Sequence, residues 1–338
     1  MQQLRVLEES RSMNNMSRIA EAFGFTNTQS TKNQSHTEGE IETTGTDASG
    51  QLNDRVTYSN ALCTKRKEKA FIPFITCGDP DLDTTRALIL EMQSQGADLI
   101  ELGIPFSDPC AEGPTIQEAN IRALKTGITT DDIFDFVRSL TTCPDKTAPK
   151  QAPLVHVPLV FMTYANVVFS YGSTRFMQRC KETGIAGIIL PDVPFEERNE
   201  FLPDCKKYGI ALISLVAPTS KDRIERIAQG AQGFIYVVSS LGVTGERTQF
   251  SNNLADMIAL IRKNTDLPCA IGFGISTPES AESMARLADG VIVGSAIVKM
   301  VGHYQQDAPG HVGRFVHAMK DACRLASLSL TFETKCNV

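Results

Sequence analysis

From Ala70 onward, short β-branched or aliphatic runs alternate with polar stretches of helical period. The runs are AFIPFIT at 70, ADLIELGI at 97, PLVFMT at 158, IAGIILP at 185, IALISLV at 210, FIYVVS at 234, PCAIGFG at 268 and GVIVGS at 290. Near-continuous apolar runs of this length predict strands buried on both faces, as in a parallel sheet covered by helices. The stretches between them often stop at a glycine, as at Gly96, Gly184, Gly209 and Gly230. Glycine tolerates the left-handed position that closes a helix. Eight such units predict an α/β fold, a closed (β/α)8 TIM barrel. The competing architecture is an open doubly wound sheet. Its GxGxxG fingerprint is missing, because the first run is followed by CGDPDLDTT.

Upstream of the barrel, SRIAEAF (Ser17 to Phe23) predicts a short extra helix capped by Ser17, with Ile19, Ala20 and Phe23 on one side. From Gly24 to about Asn60 the chain is rich in Thr, Ser, Asn, Gln and Gly, with few groups to bury, which predicts a disordered linker. The pattern divides the chain into an extension and helix (1–23), a linker (24–60), a barrel (61–330) and a tail (331–338).

Composition narrows the function classes. With 338 residues, 42% of them hydrophobic, the chain can bury a sizeable core. A net charge of -6 leaves no electrostatic footprint for nucleic acid or an anionic membrane, so an anionic substrate would need local donors. Nine cysteines, an odd number without CxxC spacing, read as reduced thiols of an intracellular protein. No long apolar run predicts a membrane span. Glu8 and Glu9 in a start without an apolar core argue against a secretory signal. The cytoplasm is the expected location, with a plastid address left open.

Barrel active sites form at the C-terminal ends of the strands. The residues there are Thr76, Glu101, Thr163 with Tyr164, Asp192, Val216, Ser239, Gly274 and Ser295. An acid between apolar neighbours reads as a structural ion pair or as a functional group, and the place of Glu101 near the mouth favours function. GFGIST and GSAIV each run from a glycine turn into a helix start, after the seventh and eighth strands. Backbone N–H groups there can cradle a phosphate. None of the five histidines and no lysine falls at a strand end, so neither a His-ligated metal nor a Schiff base is expected. Chemistry would run on Glu101, Glu112, Asp192 and the phenol of Tyr236. Tyr236 shares its strand face with Phe234 and Val238, pointing into the barrel. Taken alone it reads equally as a packed tyrosine.

The segments FIPFITCGDPD, IELGIPFSDPCAEGPTIQEAN, TYANVVFSYG, LPDVPFEE, SSLGVTGER, GFGIST and GSAIV run in order from Phe71 to Val298. Together they resemble the tryptophan synthase alpha chain family, and MSRIAEAF at Met16 resembles its amino-terminal helix across the barrel bottom. The resemblance implies a lyase that cleaves indole-3-glycerol phosphate to indole and glyceraldehyde 3-phosphate by retro-aldol chemistry. It implies a beta chain as partner, in a heterotetramer, with pyridoxal phosphate in that partner and no cofactor or metal in this chain. Carried over by motif, Glu101 is the acid/base carboxylate and Tyr236 the active-site tyrosine. Gly245, Gly274, Gly294 and Ser295 form the phosphate cradle. Phe74, Met162, Ile189, Phe273 and Ile292 wall the indole pocket, Tyr164 contributes to substrate binding, and Thr244 belongs to the lid. Pro105 and Asp108 touch the beta chain.

The chemistry of that reaction asks for two carboxylates. Indole is a poor carbanion leaving group, so C3 must be protonated first and the side-chain hydroxyl must then lose its proton. One desolvated carboxylate, Glu101, can serve both steps. A second must face the ring N–H as it becomes positive, the role assigned to Glu112. The sequence departs from the family here, with AEGP where Asp is usual. A shift on the order of 1 Å in such a group can cost about a hundredfold in rate. Two alternatives remain open at this point: a free-standing indole-releasing lyase, and a weakly active subunit that mainly activates the beta chain. Ser240, at a lid position where bacterial members often have Arg, is a second departure.

Overall fold

The structure, a computed structural model, describes residues 15–25, 68–141, 155–238, 247–272 and 274–333. Its strands are β1 (Ala70–Thr76), β2 (Ile100–Gly103), β3 (Leu159–Met162), β4 (Ile185–Ile189), β5 (Ala211–Val216), β6 (Ile235–Val238), β7 (Cys269–Gly272) and β8 (Gly290–Val293). All pair in parallel in sequence order, and β8 returns to β1, closing the barrel. Every predicted run holds one strand, and the observed strands lie inside the predicted ends.

The helices are α1 (Asn15–Ala22), α2 (Leu82–Ser94), α3 (Pro114–Leu124), α4 (Thr130–Thr141), α5 (Ala165–Tyr171), α6 (Ser173–Glu182), α7 (Leu202–Tyr208), α8 (Lys221–Gly230), α9 (Arg247–Asn264), α10 (Pro278–Leu287), α11 (Ser295–Tyr304) and α12 (Ala308–Glu333). The last runs past the boundary read at residue 330. The βα units after β2, β3 and β8 each hold two helices rather than one, and in the second and eighth units the additional helices are α3 and α11.

Alternation along each strand splits the apolar residues between two cores. Phe71, Ile75, Leu102, Phe161, Val237 and Val291 pack among the surrounding helices. Ile72, Val160, Ile213, Phe234, Ala270 and Ile292 fill the barrel interior. Register places Phe74 beside Glu101 and Glu101 beside Val160, so the acid follows the inward parity of its neighbours.

The helix α1 closes the floor. Ile19 is fully buried and joins Phe23 in the interior cluster, where the Phe23 ring lies 5.3 Å from that of Phe234. Asn15 Nδ2 donates to the carbonyls of Ile185 (3.2 Å) and Gly209 (2.9 Å), and Arg18 donates to that of Gly184 (3.0 Å). These carbonyls lie at the starts of strands, so α1 seals that end and leaves the opposite mouth for ligand. Ser17 lies within this helix and does not cap it. The predicted linker lies outside the described residues from position 26 to position 60.

Gly96, Gly184 and Gly209 adopt the expected positive φ of 98°, 73° and 70°. Gly230 does not. It is the last residue of α8, and the positive φ, 66°, falls at Gly233 instead. At Gly230 the missing side chain serves close approach: an added Cβ would lie 2.6 Å from the Arg198 guanidinium, which donates to the Gly230 carbonyl.

Candidate active site

Glu101 comes to the mouth on the inner face of β2 and is 1% exposed. Neither of its carboxylate oxygens has a hydrogen-bond partner among the described residues. An ionised carboxylate there would be costly, and burial, helped by the nearby charge of Glu112, pushes its pKa up to about 8. At neutral pH it is therefore a carboxylic acid, able to give a proton before it takes one. The hydroxyls of Thr76 and Thr163, at the ends of β1 and β3, are likewise buried and unpartnered.

Tyr236 lies on the inner face of β6, packed against the interior cluster, its ring 6.5 Å from that of Phe234. Gly272, on the neighbouring β7 in register with Val238, makes room for it: an added Cβ would lie 2.7 Å from the Tyr236 hydroxyl. Burial first, and then the charge of Glu101, holds the Tyr236 phenol well above its usual range, so it stays protonated.

Glu112 sits in the loop between β2 and α3. Asn120 Nδ2, two turns into α3, donates to its Oε2 at 3.2 Å, and the Tyr164 hydroxyl lies near the same carboxylate. Burial raises the Glu112 pKa, and these two donors oppose it. The same loop is fixed by Ala111 N–H, which donates to Tyr164 Oη at 3.1 Å, and Phe106 packs on that ring with centroids 5.2 Å apart. The longer side chain thus has a built socket. Asn120 was not among the residues singled out from sequence. Its signal was a polar residue, 4% exposed, on the buried stripe that Ile116, Ala119 and Ala123 define along α3.

The expected apolar walls converge in part. Phe74 packs with Ile116, Ala119, Val298 and Met162, and its ring passes over Gly103. Ile189 and Ile292 belong to the interior cluster, which Met162 and Tyr236 also join. The two glycine turns prove unequal. Gly274 has φ 73°, but the helix that follows, α10, is satisfied by its own capping box between Thr277 and Ser280. In contrast, α11 starts at Gly294 with no side-chain cap, and Ser295 at its first position is exposed. The first N–H groups of α11 therefore lack the side-chain acceptor that those of α10 have.

Asp192 is used differently from the sequence expectation. Both its oxygens accept from Ala165 N–H at 3.1 Å, so it caps α5 rather than standing beside Glu101 as a free carboxylate. Pro105 lies on the loop after β2 and lines a cleft of about 430 Å³ with Ile104, Ser107, Ile128, Asn166 and Tyr171. Asp108, next along, accepts from Ser107 Oγ at 2.5 Å. Thr244, Gly245, Phe273 and Ser240 lie outside the described residues. Among the described residues, no group of three His, Cys, Asp or Glu side chains could hold a metal ion, and no helix is long and apolar enough to cross a membrane.

A family model described as tryptophan synthase alpha chain matches residues 61–324. The tryptophan synthase alpha chain of Lacticaseibacillus casei is 48% identical over 257 residues, covering 76% of this chain and 92% of that protein. That of Thermoanaerobacter sp. (strain X514) is 44% identical over 255 residues, 75% of this chain and 93% of the relative. Among solved structures, tryptophan synthase subunit alpha from Legionella pneumophila str. Paris superposes with a TM-score of 0.66 at 37% identity, covering 75% of this chain and 92% of that one.

Proposed function

The chain belongs to the tryptophan synthase alpha chain family, lyases that cleave indole-3-glycerol phosphate to indole and glyceraldehyde 3-phosphate in tryptophan biosynthesis, and from that premise we propose how its residues carry the reaction. Glu101, protonated when substrate arrives, gives its proton to indole C3. The ring becomes an indoleninium ion, and ionised Glu112 faces its N–H and stabilises the positive charge. Glu101, now a carboxylate, takes the proton of the side-chain hydroxyl as the carbon–carbon bond breaks. The bond's electron pair restores the aromatic ring, the alcohol carbon becomes the aldehyde, and Glu101 ends protonated as it began.

The substrate phosphate would lie at the start of α11, on Gly294 and Ser295, with Gly274 and Gly245 completing the cradle. The indole would lie against Phe74, Met162, Ile189, Phe273 and Ile292, with Thr244 closing over it. Tyr236 stays a neutral phenol beside Glu101 and limits water there. Tyr164 acts through Glu112. The loop holding Pro105 and Asp108 would meet a beta chain that carries pyridoxal phosphate, in a heterotetramer. The buried thiols of Cys77, Cys180, Cys205 and Cys323 suit a reducing compartment, and the cytoplasm is the proposed location.

The observation that carries this reading is the pair of buried, unpartnered oxygens on Glu101 at the barrel mouth. A structural acid would have used them. Glu101→Gln fills the same space without an exchangeable acid proton. Its indole production should be lost while its thermal unfolding and its protection by glycerol 3-phosphate persist. Turnover above a small fraction of wild type would make Glu101 structural and remove the mechanism.

The weakly active reading rested on the longer side chain of Glu112. The socket formed by Asn120 and Tyr164 favours its participation in chemistry instead.

A further inference from the structure

The two additional helices of the mouth, α3 and α11, meet at a polar contact above an apolar one. Arg122, on α3 two residues beyond Asn120, donates through Nε and Nη2 to the two oxygens of Asp79, each at 2.8 Å. Asp79 is 1% exposed in the loop after β1. The guanidinium lies against the backbone of α11 at Gly302, where an added Cβ would come 2.9 Å from Nη2 and 3.2 Å from Cζ. Beside it, a cleft of about 220 Å³ runs between Thr115, Glu118 and Arg122 on one helix and Val298, Lys299 and Gly302 on the other. The apolar contact below is the cluster of Phe74, Ile116, Ala119 and Val298. A second link, from the 3-10 turn that follows α11 (Gln305–Asp307), reaches the same loop, Gln306 Nε2 donating to Asp81 Oδ2 at 3.2 Å.

The positions of these contacts give them a consequence beyond stability. The start of α11 receives the phosphate in the reading above, and α3 carries the amide that holds Glu112. A bidentate guanidinium–carboxylate pair fixes both distance and plane, which a point charge does not. Anything that moves α11 therefore moves the loop after β1 and α3 together. We propose that Arg122 is a positioning residue that couples occupancy of the phosphate cradle at α11 to the placement of the Glu112 carboxylate. This rests on the reading of the site given above.

The test is a set of double-mutant cycles on the full chain, reading kcat and KM for indole-3-glycerol phosphate. Ser295→Ala weakens the phosphate end and Glu112→Ala removes the ring-facing carboxylate. If the ends are coupled, their combined loss in kcat/KM departs from the product of the single losses by about fivefold or more. In an Arg122→Lys background, which keeps a cation for Asp79, the losses should multiply to within about twofold. Gly302→Ala reaches the same contact from α11 by displacing the guanidinium, and should also uncouple the ends, so the result does not depend on Arg122→Lys folding. A merely structural arginine would lower the unfolding temperature and leave the coupling unchanged, and that outcome overturns the proposal while leaving the mechanism intact. Losses that already multiply in the wild-type background also overturn it. Full activity in Glu112→Ala overturns the mechanism and this proposal together.

Discussion

Asn120 Nδ2 stands 3.2 Å from Glu112 Oε2, so the carboxylate is held by the helix that follows its own loop. A held carboxylate can stabilise a developing charge without reorganising. Removing one preorganised contact of this kind costs about 3 kcal/mol of transition-state stabilisation. Glu112→Ala should lose about that much in kcat/KM, whereas Glu112→Asp should shift it modestly in either direction. Asn120→Ala should lower kcat more than it raises KM, because it loosens the carboxylate without touching substrate. Steady-state kinetics with a beta chain present decides this. Equal rates for wild type and Glu112→Ala would support a subunit that mainly activates its partner.

The pKa of Glu101 makes a prediction about stability. Folding raises it from 4.5 to about 8, so the folded state holds this proton more tightly than the unfolded chain. The stabilisation from this group is fully present below pH 4.5 and is lost as pH rises through about 8. The slope between these values is about 1.4 kcal/mol per pH unit at most. Glu101→Gln does not ionise, so its unfolding temperature relative to wild type should climb from pH 5 to pH 9. A difference independent of pH would show that Glu101 titrates normally. The same proton governs catalysis, and kcat/KM should fall on the alkaline side of about pH 8.

Tyr236 and Gly272 constrain each other across two strands. An alanine at 272 would set its Cβ 2.9 Å from Tyr236 Cζ, with the rigid ring and not a flexible chain end as obstacle. Overpacking of this kind costs about 1–3 kcal/mol. Gly272→Ala should lower the unfolding temperature and also reduce kcat/KM, because the displaced ring borders Glu101. Tyr236→Phe keeps the ring and should retain more activity. Wild-type kinetics in Gly272→Ala would show that the ring position does not matter to chemistry.

Strand placement was legible because a buried parallel strand has no polar face, so each apolar run could only be a strand of this class. The inward side of Tyr236 followed from its two-residue spacing with Phe234. Other features depended on partners that spacing does not reveal. Asp192 looked like an active-site acid because it ends a strand, and only the fold shows Ala165 N–H brought to its carboxylate. Gly230 does end its helix, but without the left-handed φ expected there, and the distant Arg198 accounts for its missing side chain. GFGIST and GSAIV looked equivalent until the Thr277–Ser280 box closed the first helix start and left the second open. Asn120 and Arg122 were passed over because a polar residue on a short helix gains meaning only when Glu112 and Asp79 are seen beside it.

The last prediction concerns the sealed floor. Ile19 is fully buried among the strand starts, near enough to Gly233 that an added Cβ there would lie 3.3 Å from Ile19 Cδ1. Truncating a buried isoleucine to alanine removes transfer free energy and leaves a cavity, a loss of about 2–5 kcal/mol. Ile19→Ala should therefore lower stability by that amount in urea unfolding. Its position predicts a second, separable result. Glu101 lies at the opposite end of the barrel, with rigid strands between. Below the unfolding transition, turnover per folded molecule should stay near wild type. A kcat/KM that falls in step with stability at temperatures where the chain is fully folded would show that the floor helix controls the mouth, and that α1 is part of the catalytic apparatus as well as the fold.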